Sequence, residues 1–197
     1  MVTQPSLIAN SLIVMGEGFW VLSASAQLRR LVKTRNTKGL SPVSITLNAA
    51  GNLGWCTYFY LNHLWYPFVT NIFVFSIGIA LLGFVLSNHK QFLKGIITIA
   101  IVGPITSYIL FHSPSLAGWM GMLYNWIAST PELLLIVRKK KVSGISEKSL
   151  FFATGAMTLT VIYAFIIHSP PLIAGCLQGL IYMLVIFKYF YRHRHHD

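Results

Sequence analysis

All fifteen lysines and arginines of this chain lie at or beyond the ends of long apolar runs, and only on alternate connections. The runs are 7–28, 43–61, 67–86, 92–111, 116–137, 149–167 and 171–190. Arg29, Arg30, Lys33, Arg35 and Lys38 separate the first two runs, and Lys90 falls between the third and fourth, with Lys94 in the first turn of the fourth. Arg138, Lys139, Lys140, Lys141 and Lys148 separate the fifth and sixth, and Lys188, Arg192 and Arg194 close the seventh. The other three connections carry none. A helix needs about 20 apolar residues to cross about 30 Å of hydrocarbon. Backbone polar groups in lipid must be satisfied within the segment, so each run reads as a helix. Only 10% of the residues are charged, against about 25% in a soluble domain, which makes lipid the main solvent. The net charge of +11 then belongs to cytoplasmic loops and not to a nucleic-acid surface. The alternation predicts seven spans, with the amino terminus outside and the carboxyl terminus in the cytoplasm.

The chain also repeats itself. Gln27–Gly39 and Glu132–Gly144 share one plan: the end of an apolar run, a basic stretch, then Gly-Leu-Ser (Gly39 to Ser41) or Gly-Ile-Ser (Gly144 to Ser146). The same offset of 105 residues pairs Tyr58 with Tyr163 and His63 with His168. A duplication with an odd span count implies two parallel triplets joined by one linker span. The expected fold is thus an all-α integral membrane protein of seven transmembrane helices in a 3+1+3 order. Its expected units are a first triple-helix repeat (1–88), a linker helix (89–112) and a second repeat with a cytoplasmic tail (113–197). Pro104 sits mid-linker and predicts a kink. Cys56 and Cys176 lie inside apolar runs and read as buried small side chains. The first run has no basic residue before it and reads as a mature span, not a signal peptide. The tail from Arg192 to Asp197 reads as a solvated end facing lipid headgroups, with a metal site as the alternative.

The pattern G-L-S-x-x-x-x-x-L-N-x-x-G-x-x-x-W over Gly39–Trp55, combined with the repeat and the seven runs, resembles the PQ-loop and SWEET superfamily of transporters. The namesake dipeptide reads Ala26-Gln27 in the first half and Pro131-Glu132 in the second. The resemblance implies that Gln27, Pro131 and Glu132 belong to the gates, with Pro131 alone able to bend its span. Two branches are implied. In sugar-carrying SWEETs a Trp late in the second span and an Asn early in the third flank the sugar, and Trp55 and Asn71 look like that pair. In cystinosin-like amino acid carriers, often driven by protons, the second span has a Leu-Asn-x-x-Gly stretch, matched by Leu47–Gly51.

The polar residues within the runs carry the chemistry. Glu17 falls near the middle of the first run, hence near the bilayer midplane. An ionised carboxylate there costs roughly 2.5–3.5 kcal/mol. Three readings follow: an acid that is protonated at rest and exchanges its proton during transport, an acid that faces a wet cavity and binds a cationic group, or a neutral acid hydrogen-bonded between helices with no transport role. Asn48, Asn52 and Trp55 are spaced 4 and 3 apart and share one helix face. Asn71, Asn125 and Gln178 add amides on three other spans. Each alone reads as an interhelical hydrogen bond; together they predict a polar cavity that binds substrate, with Trp20, Tyr58, Tyr124 and Trp126 as candidate walls. Glu132 reads as a rim salt bridge or an inner-gate contact, and Gln27 likewise. His63, His112 and His168 read as loop histidines or as pH sensors. The glycines 16, 18, 51, 54 and 78 predict close helix contacts.

No metalloprotease, phosphate-loop or nucleophile-elbow motif is present, so the chain is expected not to be an enzyme and to need no cofactor or resident metal. It is expected to be a secondary transporter for a small polar solute, leaning to a proton-coupled amino acid carrier. A sugar uniporter and a non-transporting seven-helix receptor are the alternatives. The expected partners are that solute, protons and the lipid bilayer, with no nucleic acid; one chain suffices for a pathway, and oligomeric state is left open. The expected location is a bacterial inner membrane.

Overall fold

The computed structural model describes residues 5–35, 40, 42–88, 92–139 and 146–193. Among these residues all regular structure is helical. Seven α-helices follow in order: α1 (Leu7–Thr34), α2 (Pro42–Leu61), α3 (Trp65–Asn88), α4 (Phe92–His112), α5 (Ala117–Lys139), α6 (Glu147–Ile166) and α7 (Pro170–His193), with a short 3-10 turn at Pro114–Leu116 before α5. Each expected run lies within one helix, apart from single residues at two ends, Leu116 and Ile167. The main difference is at α1, which runs on to Thr34 and so carries Arg29, Arg30 and Lys33 as helix rather than loop. Arginine and lysine are good helix formers, and the cations suit a helix carboxyl end. Arg35 stops the helix in a left-handed conformation (φ 49°), with its N–H bonded to the Leu31 carbonyl.

Among the described residues, four helices are long and apolar enough to cross a membrane by length and composition: α1, α3 (as Trp65–Ser87), α6 and α7 (as Pro170–Arg192). Helix α2 is not among them, and its burial explains why. Gly51, Gly54, Trp55, Tyr58 and Phe59 are all buried, so this helix presents less of itself to lipid and tolerates a less hydrophobic sequence.

The packing is the same when the first three helices are exchanged with the last three. Helix α1 packs on α6, and α5 packs on α2; α3 packs on α1 and α2, and α7 packs on α5 and α6. Helix α4, with Pro104 inside it, lies mainly against α2.

The 105-residue offset recurs atom by atom in the turns that follow α2 and α6. His63 N–H bonds Tyr60 O and Leu64 N–H bonds Phe59 O; His168 N–H bonds Phe165 O and Ser169 N–H bonds Ala164 O. This is the two-bond Schellman closure of a helix. It places His63 (φ 56°) and His168 (φ 53°) in the left-handed region that non-glycine residues seldom adopt. The main apolar core lies at this end of the molecule and includes Ile13, Trp55, Tyr58, Phe59, Leu64, Tyr163, Ile167 and Leu172. The opposite end, which carries Arg29, Arg30, Arg138 and Lys148, is called the basic end below.

Candidate functional site

Glycines set how closely the two triplets meet. A side chain at Gly16 would stand 3.3 Å from Leu159 Cβ and Thr160 Oγ1 and 3.5 Å from Ala156 O, so α1 lies directly on α6. At the offset position, Gly121 faces Gly51 O and the Trp55 ring, each at 3.1 Å. Gly54 meets Ala117 O and Gly121 N at 3.0 Å. Gly18 and Gly78 meet nothing within 4 Å, so these two are not close-contact positions, contrary to the sequence expectation. Both fall on helix faces with no neighbour against them.

The Trp55 indole bridges the halves: it lies over Gly121 of α5 and reaches within 3.3 Å of the Cβ position of Gly175 on α7. Glu17 is 4% exposed. It makes no hydrogen bond with a described residue, and Ile13, one turn before it on the same helix face, belongs to the main apolar core. A buried acid without a hydrogen-bonding partner is unfavourable unless its site has another use.

Closer to the basic end a cavity of about 180 Å³ opens between the halves, lined by Trp20, Ser23 and Gln27 of α1, Ser149 of α6 and Tyr182 of α7, among others. Trp20 is three residues from Glu17, so the acid stands about one helical turn beyond the cavity's α1 wall. Hydrogen bonds close the halves around it. Ser23 donates to Ser149 O at 2.9 Å, the Gln27 amide oxygen accepts from Ser146 N–H at 2.9 Å, and Ser44 donates to Ala128 O. Ser23 with Ser149 and Ala128 with Ser44 are one pair of positions under the offset, with the donor moved to the other helix.

At the turn end the Tyr58 hydroxyl bonds Ser169 at 2.6 Å. Its counterpart Tyr163 is fully buried, and its hydroxyl has no partner among the described residues. The position equivalent to Ser169 is Leu64, which offers none. Tyr58→Phe is therefore expected to destabilise, by about 0.6–1.7 kcal/mol for a hydrogen bond within a membrane. Tyr163→Phe is expected to be neutral or stabilising, since it removes an unsatisfied buried group. Thermal unfolding of the two variants in one detergent checks this; a larger loss for Tyr163→Phe contradicts it.

The family model for the PQ loop repeat matches residues 8–68. The chain carries a PQ loop repeat. The match spans α1, α2 and the first turn of α3, in keeping with an integral membrane protein of the PQ-loop superfamily. A search of the curated proteins found no match.

Within the PQ loop repeat, Glu17 and Trp55 are buried and Asn48 and Asn52 are half-buried. Asn71, on α3 just past the matched residues, is 9% exposed. Gln27, the glutamine that gives the PQ loop repeat half its name, lines the cavity and ties α1 to the amino end of α6. From the second half, the Asn125 amide oxygen stands 2.5 Å from where a Gly51 side chain would begin, so it packs directly on the PQ loop repeat. Gln178 is placed differently. It lines an open groove on the outer side of α5 and α7, with Trp126, Leu133, Ala174, Leu177 and Ile181. Pro131 and Glu132 lie on α5, but their side chains are outside the described residues, as is the tail beyond His193. His112 is exposed and stacks on Tyr108 at 4.3 Å. Among the described residues no group of three His, Cys, Asp or Glu could hold a metal ion, and both cysteines are free.

Sequence reasoning missed Ser23, Ser44 and Ser149. Two of these were findable: Ser44 and Ser149 are identical across the offset.

Proposed function

We propose that this chain is a carrier that moves a small polar solute across a membrane by alternating access. Seven spans are arranged as two parallel triplets, 1–88 and 113–197, around the linker span 89–112, with the basic end in the cytoplasm. The solute site lies between the triplets at the level of Glu17, Asn52, Trp55 and Asn71. Packing that is unchanged on exchanging the triplets supports this, because carriers built from repeats work by rocking one repeat against the other.

The observation that carries the reading is Glu17: an acid buried between helices, without a hydrogen-bonding partner among the described residues, one turn from a cavity toward the basic end. In lipid such a group is retained where it serves a pathway. The carboxyl takes a proton when its site opens outward and releases it when the site opens inward, and the solute's movement is linked to that proton. Tyr58 with Ser169 closes the outer side; the serine bonds and Gln27 with Ser146 close the inner side. The amides suit the amino and carboxylate groups of an amino acid, which is the favoured solute. A sugar uniporter is the second reading, favoured by the burial of Trp55 and Asn71.

Uptake into proteoliposomes separates these. The proposal expects an acid-outside gradient to drive accumulation of an amino acid. Glucose uptake that ignores the gradient supports the uniporter instead, and a thermal shift with no flux of any solute supports a receptor.

A further inference from the structure

The two triplets match in packing but differ in chemistry at equivalent positions. Under the 105-residue offset Glu17 becomes Met122, Asn52 becomes Met157 and Asn71 becomes Cys176. Three hydrogen-bonding side chains on α1, α2 and α3 are answered by three sulfur side chains on α5, α6 and α7. The sulfur residues belong to the interior. Cys176 is part of the core cluster with Trp55 and Tyr163, and Met122 and Met157 pack against that cluster. Met157 fills the space over Gly179, and the Met122 side chain comes within 3.5 Å of the Cβ position of Gly175. Ile13, one turn before Glu17 on the same face of α1, belongs to the same core cluster as Cys176.

We infer that the central site is two-sided and takes a neutral amino acid with a flexible, apolar side chain, of which norleucine is the simplest probe. This rests on the carrier reading for the site's role, and adds which solute fits it. The ammonium group faces Glu17, and the Asn52 and Asn71 amides hydrogen-bond the polar head. The tail lies on Met122, Met157 and Cys176, where thioethers adapt to an irregular apolar chain. A sugar carries hydroxyls on every side. Those turned toward the sulfur face would be buried without partners, which disfavours a sugar there. A serine-sized solute leaves the sulfur face uncovered.

The test is counterflow exchange of radiolabelled norleucine, serine and glucose in proteoliposomes, with binding followed by tryptophan fluorescence in detergent. Norleucine is expected to exceed serine by at least about tenfold, the lower end of what a few buried methylenes contribute, and glucose is expected not to exchange. Met157→Asn, which sets the first triplet's amide into the second, is expected to cut the norleucine-to-serine ratio severalfold. Met157→Leu is expected to keep the ratio, and Met122→Gln is a second polar variant should Met157→Asn fail to fold. Equal exchange of serine or glucose, no binding of norleucine, or a ratio unmoved by the polar variants overturns the inference and leaves the carrier reading standing if flux is seen. Selective norleucine binding with no exchange of any solute does the reverse.

Discussion

Glutamine in place of Glu17 is expected to abolish gradient-driven accumulation while leaving counterflow exchange within about tenfold of the native protein. The substitution keeps the size of the side chain and its capacity to hydrogen-bond, but removes the proton it can gain and lose. If one proton moves with each solute, each pH unit across the membrane contributes about 1.36 kcal/mol, which is up to tenfold in accumulation. In the variant that ratio falls to one. Exchange of solute for solute needs no net proton movement, so it survives. Labelled amino acid uptake at matched and acid-outside pH measures both. An equal gradient response in the Glu17→Gln variant would falsify the coupling role, since no other described acid is buried near the centre.

The second large effect concerns how the halves meet. A side chain at Gly54 would stand 3.0–3.1 Å from Ala117 O and from Gly121 N and Cα, all of them backbone atoms of α5. These atoms cannot rotate aside, so α2 and α5 must part. Gly54→Val is expected to cost roughly 2–3 kcal/mol, or about 5–10 °C in Tm at this size. It should also end transport, because Trp55, on the same helix turn, is lifted from Gly121. Gly78→Ala is the control: its site is open, and replacing a mid-helix glycine adds up to about 1 kcal/mol. Unfolding followed by circular dichroism reads both. Gly54→Val with an unchanged Tm would mean that the α2–α5 contact is not what holds the triplets together.

The helices were legible because lipid imposes a length and a polarity that the runs 7–28 through 171–190 display openly. The repeat was legible because the offset preserves Tyr58 with Tyr163 and His63 with His168, and the structure shows what the histidines have in common: the same left-handed turn. Azimuth was less legible. Hydropathy reports that Gln178 is polar within an apolar run but not which way it faces. Its offset partner Phe73 is 60% exposed, and that comparison was the available sign that Gln178 lies on the outer side. The ends were less legible too, since α1 continues through Arg29, Arg30 and Lys33 where charge alone suggested loop. The serine bonds between halves were hidden because Ser44 and Ala128 sit 84 residues apart, and nothing in composition distinguishes a serine that donates to a neighbouring helix from one that donates to its own.

The most direct measurement is a pair of distances in one protein reconstituted in lipid. Spin labels at Tyr60 and Phe165 report the turn end, and labels at Lys33 and Lys148 report the basic end; all four positions are exposed. With Cys56 and Cys176 replaced by alanine, added solute or lowered pH is expected to lengthen the first distance while shortening the second. Two distances that stay fixed under every solute and pH that gives flux, or that lengthen together, would contradict a carrier built from two rocking triplets.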